Sequence, residues 1–84
     1  MTKIYIIDVR DEDEYALGHK DNAINIPVNL IYNKDIKAMS LFESMDKDKD
    51  EINVYCASGG RAELAKTIFL KMGFKHVTNL GGFC

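Results

Sequence analysis

Four short apolar runs, rich in β-branched residues, alternate along the chain with stretches of helical periodicity. The first, Lys3-Ile4-Tyr5-Ile6-Ile7-Asp8-Val9, is almost continuously apolar. It reads as a strand buried on both faces, which is the habit of parallel sheets. Asp11 followed by Glu14 is a capping-box pattern and opens a brief helix that Gly18 stops. Ala23-Ile24-Asn25-Ile26-Pro27 is a second short strand, ended by the only proline. Leu30, Ile31, Ile36, Met39, Phe42 and Met45 recur at helical spacing, and a helix is expected from about Asp35 to Met45. Ile52-Asn53-Val54-Tyr55 is the third strand. Leu64, Ala65, Ile68, Phe69 and Met72 then mark one face of a helix from Arg61 to Met72, closed by Gly73. Phe74 to Leu80 is the last strand and ends at Gly81-Gly82. On this parsing all six glycines fall at turns or helix ends. Strands and helices alternating across such short connections predict an α/β fold with a central, mainly parallel sheet of four to five strands flanked by helices.

The 84 residues make one domain, 46% hydrophobic and 29% charged, which are ordinary globular values. A domain of this size buries roughly 60–70% of its unfolded surface, enough for one core. Eleven basic against 13 acidic side chains give a formal charge of -2, without the basic excess of a nucleic-acid binder. No apolar stretch approaches a membrane span, and nothing at the N-terminus has the pattern of a targeting peptide. Two cysteines are too few for a disulfide scaffold, and the Cys56–Cys84 spacing matches no zinc-ligand pattern. The expected compartment is the reducing cytoplasm, with free thiols. Asp46-Lys47-Asp48-Lys49-Asp50-Glu51 begins like a calcium-binding EF-hand loop. It has Glu51 where glycine is needed and Ala57 where the bidentate glutamate belongs, so it reads as a solvated loop.

Chemistry concentrates where the third strand runs into Cys56-Ala57-Ser58-Gly59-Gly60-Arg61. In parallel α/β sheets ligands bind beyond the carboxyl ends of the strands. Two glycines let the loop curl and turn successive N–H groups inward. The following helix adds unpaired N–H groups and the positive end of its dipole, and Arg61 adds a permanent charge on the rim. Each favours thiolate over thiol, so Cys56 is expected to be a reactive, anion-stabilising cysteine and not a packed one. Four residues separate Cys56 from Arg61, one fewer than in the C-x5-R signature of cysteine-dependent phosphatases. The smaller ring fits one extra sulfur atom better than a tetrahedral phosphate.

Four segments in this order resemble the single-domain rhodaneses, a family of sulfurtransferases: Ile6-Ile7-Asp8-Val9-Arg10; Glu14-Tyr15 with Gly18-His19 and Ala23-Ile24-Asn25-Ile26-Pro27; Val54 to Arg61; and Asn79-Leu80-Gly81-Gly82. The resemblance implies a rhodanese-like sheet with the cysteine loop as active site. It implies that Cys56 takes the outer sulfur of a small-molecule donor such as thiosulfate. The resulting persulfide would be held by Ala57, Ser58, Gly59, Gly60 and Arg61, then passed to a thiol or a sulfur-carrier protein. No metal or organic cofactor is required. A rhodanese-like binding or regulatory module without turnover is the alternative, and a phosphatase or arsenate reductase comes third. The family commonly reads Ile-Pro-Gly-Ala where this chain has Lys20-Asp21-Asn22-Ala23. It usually continues past the Gly-Gly turn into a closing helix, so one sheet face is expected to be barer, with a homodimer as one way to cover it.

Asp8 is expected to have a structural role, accepting hydrogen bonds from the active loop or Arg61, whereas Arg10 reads as surface charge. His19 is expected to bond locally and His76 to face solvent; neither is needed as a base once the nucleophile is a thiolate. Cys84 reads as a free terminal thiol, with a disulfide or persulfide relay to Cys56 as the alternative.

Overall fold

The computed structural model describes residues 2–83. Its elements run β1 (Ile4–Asp8), α1 (Glu12–Ala16), β2 (Ala23–Asn25), α2 (Val28–Tyr32), α3 (Ile36–Glu43), β3 (Glu51–Cys56), α4 (Gly60–Lys71) and β4 (His76–Gly82). The strands form one sheet in the order β2-β1-β3-β4, parallel throughout. Cys84 lies outside the described residues, and so does the relay envisaged for it. No helix among the described residues is long and apolar enough to cross a membrane.

A continuous apolar core fills the space between one face of the sheet and helices α2, α3 and α4. Ile7, Val9, Ile52, Val54 and Cys56 from the sheet side meet Ile31, Ala38, Phe42, Ala65 and Phe69 from the helices. Phe69 is central, with edge-on contacts to Phe42 at 4.9 Å and Phe74 at 5.8 Å between ring centroids. The opposite face is more open, and Leu80 remains exposed there. The reading of β1 as buried on both faces holds at its carboxyl end and not at its start. Ile4 is exposed and Tyr5 and Ile6 are half-buried, while Ile7 and Asp8 are fully enclosed.

Other elements differ in detail. The region after Pro27 holds two helices, α2 before α3, with Asp35 capping α3 through the Ala38 amide at 3.2 Å. Gly81 and Gly82 lie inside β4, not beyond it, because β4 carries one extra residue between its pairings Val54–Asn79 and Cys56–Gly82. Such a bulge needs unusual backbone, and Gly81 supplies it with φ of +89°. Asn22 stands in the left-handed region at φ of +66°, where the family commonly has glycine; asparagine is the side chain that tolerates this best. The 46–51 segment is not wholly solvated: Asp50 is buried and accepts the amides of Lys3 at 3.0 Å and Asp46 at 2.9 Å.

Candidate active site

Cys56 is the last residue of β3, at the carboxyl edge of the sheet. Strand periodicity aims its side chain into the core side, and the residue is fully buried. The segment 57–59 then curls back over the sulfur. Gly59 adopts φ of +96°, closed to most side chains, and its amide donates to Cys56 Sγ at 2.9 Å. The Ala62 amide, in the first turn of α4, donates to the same sulfur at 3.4 Å. Burial by itself pushes the Cys56 thiol up; the amides of Ala62, Ser58, Gly59 and Arg61 together outweigh it and hold the thiol below its usual value. The expectation of a cysteine that is not packed is therefore corrected: Cys56 is packed into the core, and the Gly59 and Ala62 amides are directed at its sulfur.

The Arg61 side chain, expected to lend its charge to the rim, has a partner that sequence reading did not assign. Its guanidinium is bidentate on Glu14 of α1, Nη1 to Oε1 at 2.7 Å and Nη2 to Oε2 at 3.0 Å. Glu14 in turn accepts the Asp11 amide at 3.1 Å, the return arm of the predicted capping box. The Arg61 hydrogen bonds, aided by the Asp11 amide, draw the Glu14 carboxyl down to about 2. A compensated guanidinium contributes little net charge to the rim, so the main chain supplies most of the thiolate preference.

The glycine pair of β4 closes the loop from behind. The Phe83 amide donates to the Cys56 carbonyl at 2.8 Å. A Cβ at Gly82 would collide with the Ala57 carbonyl oxygen, so only glycine lets β4 approach this closely. Ala57, Ser58 and Gly60 are exposed on the rim, with Gly59 and Arg61 half-buried.

The Asp8 side chain does not meet the cysteine loop or Arg61 as expected of it; its partner is Arg10. Arg10 is buried, not a surface charge. Its guanidinium grips Asp8 at 2.8 and 3.1 Å and donates to the Gly18 carbonyl at 2.6 Å. Burial raises the Asp8 carboxyl, but the Arg10 hydrogen bonds prevail and lower it overall. The Arg10 guanidinium also lies over the rings of Phe83 at 4.8 Å and Tyr55 at 5.7 Å. Tyr55, on the face opposite Cys56, accepts the Lys20 amide at 3.0 Å through its hydroxyl. This cluster ties β1, the turn after α1 and the end of β4 together behind the site. His19 bonds locally, Nδ1 to the Tyr15 carbonyl at 2.9 Å with its ring stacked on Tyr15, and His76 is exposed at the start of β4.

A parallel α/β sheet that delivers a cysteine into a ring of main-chain donors defines a cysteine-loop domain. The chain belongs to the rhodanese-like domain family, whose sequence model matches residues 1–83. It is 40% identical over 76 residues to the thiosulfate sulfurtransferase PspE of Escherichia coli K12, covering 90% of this chain and 67% of that one. It is 39% identical over 80 residues to the tRNA uridine(34) hydroxylase of Buchnera aphidicola, covering 95% of this chain but only 24% of that enzyme. The chain thus spans about a quarter of the length of that relative. The solved structure of a rhodanese with anions from E. coli superposes with a TM-score of 0.77 at 38% identity, covering 94% of this chain and 86% of the other.

Proposed function

We propose that this domain is a sulfurtransferase working through a persulfide on Cys56. The observation that carries the reading is the pair of amides, Gly59 and Ala62, directed at Sγ. The thiolate attacks the outer sulfur of a donor such as thiosulfate. The new S–S bond forms as the sulfur–sulfur bond of the donor breaks, and its electron pair leaves with sulfite. Cys56 is left as a persulfide anion. In the second step a thiophilic acceptor attacks the terminal sulfur, and the electron pair of that bond returns to Cys56 as thiolate. Cyanide would give thiocyanate, and a thiol or the cysteine of a sulfur-carrier protein would give its own persulfide. Charge is conserved in both steps, no external oxidant enters, and no general base is needed.

In this reading the loop of residues 57–61 is a preorganised anion hole. The donors already face the resting thiolate, and moving the charge out by one sulfur keeps it within the same loop. The donor reaches Sγ across the rim at Ala57 and Ser58, both exposed. Similarity to a thiosulfate sulfurtransferase supports the choice of donor. The test is thiosulfate:cyanide turnover beside Cys56→Ser. Thiocyanate formation by the wild type, its loss in the variant and a gain of about 32 Da on Cys56 after thiosulfate are expected. A wild-type protein that forms no thiocyanate and takes up no sulfur would leave the domain as a binding module.

A further inference from the structure

Asn79 lies on β4, across the sheet edge from the cysteine loop, and its side chain makes three hydrogen bonds there. Nδ2 donates to the Gly59 carbonyl at 3.1 Å and to Glu63 Oε1 at 3.2 Å, while Oδ1 accepts the Gly81 amide at 2.8 Å. The orientation of the amide is determined by its surroundings. Two partners can only accept and one can only donate, so turning the group over would break all three bonds.

The positions of those partners give the arrangement its meaning. Gly59 is the residue preceding α4, has φ of +96°, and has no side chain to cap the helix. Its amide is the shortest donor to Cys56 Sγ, at 2.9 Å. Its carbonyl accepts both the Glu63 amide at 2.9 Å and Asn79 Nδ2. A glycine in that region has a broad choice of backbone angles, and an anchor on its carbonyl restricts the choice. The Gly81 end of the same side chain anchors it to the β4 bulge. Asn79 thereby links the two segments that enclose the sulfur.

We infer that Asn79 is a positioning residue that holds Gly59 in the conformation directing its amide at Cys56 Sγ. This rests on the reading of Cys56 as the nucleophile. Asn79 acts through the loop and touches no reacting atom. The charged side chains hydrogen-bonded around the loop are Asp8 and Arg10 at the end of β1, Glu14 on α1, and Arg61 and Glu63 on α4, with Asp11 at the start of α1 also acting on Arg61. Asp8 is paired with Arg10 and Glu14 with Arg61, while Glu63 is hydrogen-bonded to Asn79 itself.

The experiment follows the pH midpoint of Cys56 alkylation by iodoacetamide, read on the Cys56 peptide by mass spectrometry, in wild type, Asn79→Ala and Asn79→Asp. Aspartate has the shape of asparagine and can still accept from Gly81, but it turns a carboxylate oxygen toward the Gly59 carbonyl and Glu63. Both variants should raise the midpoint by about half to one pH unit. In thiosulfate:cyanide turnover both should lower kcat about tenfold, with KM changed less than about threefold. A core variant of comparable instability, Phe42→Leu, should leave the midpoint in place, which separates positioning from general loosening. Midpoints in both variants within about 0.2 units of wild type overturn the proposal. Should neither variant fold, side-chain amide exchange in the wild-type protein decides. Asn79 Nδ2 protons slower than those of exposed Asn22 are expected, and equal rates overturn it. Absence of thiocyanate from the wild type would end the sulfurtransferase reading alone, because the alkylation midpoint still reports on Asn79.

Discussion

Arg61 and Glu14, 47 positions apart in sequence, face each other as a bidentate pair with contacts of 2.7 and 3.0 Å. The arrangement ties the first turn of α4 to α1 and commits the guanidinium next to the cysteine loop to a carboxylate. Both side chains remain about one-third exposed, so the pair is partly screened by solvent. Its consequence is electrostatic more than energetic: an incoming anion meets main-chain donors before it meets an unbalanced positive charge.

Glu14→Gln should therefore make the site more attractive to a dianionic donor. The glutamine keeps the shape of the side chain but removes its charge, leaving Arg61 uncompensated beside the loop. KM for thiosulfate is expected to fall about three- to tenfold at low ionic strength, with kcat within about twofold. The gain should shrink in high salt. Steady-state kinetics at two salt concentrations check this, and an unchanged KM at low salt would show that Arg61 contributes nothing to donor binding.

Acid should weaken the fold in a defined direction. Glu14 titrates at about 2 in the native protein against an ordinary value of 4.5, so the unfolded chain binds its proton more readily. The Asp8 carboxyl is likewise lowered from 3.8. Stability from both groups is fully present above their ordinary values and is lost as the pH falls through the lower, native ones. Urea midpoints should change little on account of these groups between neutrality and pH 5, then drop continuously toward pH 2. In Glu14→Gln the decline should be shallower. A midpoint that rises on acidification would contradict the assignment.

Arg10→Met should be among the most damaging single changes outside the core. It leaves the Asp8 carboxylate enclosed without its partner and the Gly18 carbonyl without its donor. Breaking a buried ion pair from one side costs about 3–5 kcal/mol. At roughly 4–8 °C per kcal/mol for a domain this small, Tm should fall by more than about 10 °C. Combining it with Asp8→Asn should cost less than the sum of the single changes. Thermal denaturation of the three variants checks this.

The strand runs were legible because apolar, β-branched residues leave few other choices. β3 and α4 agree with the sequence reading to within a residue or two, and Asp11, Asp35 and Glu14 stand where capping chemistry puts them. The cysteine loop was legible for a similar reason, since two glycines between a strand and a helix permit a tight curl over the sulfur. Arg10 was misread because a side chain next to a strand end carries no local mark of burial. Its enclosure comes from Asp8, Gly18, Tyr55 and Phe83, which converge only after the sheet has formed. Asn79 stood inside a recognised segment without a role. The one local hint was its spacing to Gly81, which permits the side chain to accept an amide two residues on.

Sequence alone thus determined the alternation of elements, the parallel sheet and the placing of a thiol at a strand's carboxyl end. These follow from periodicity and backbone freedom over a few neighbouring residues. Tertiary structure decided which groups act on that thiol. It turned the Gly59 and Ala62 amides onto Sγ, gave Arg61 to Glu14, buried Arg10 on Asp8, and brought Asn79 across to Gly59 from 20 positions away. Each of these is a pairing between charges or hydrogen-bonding groups on separate elements. Such partners depend on which elements become neighbours in the folded sheet, and local pattern does not encode that.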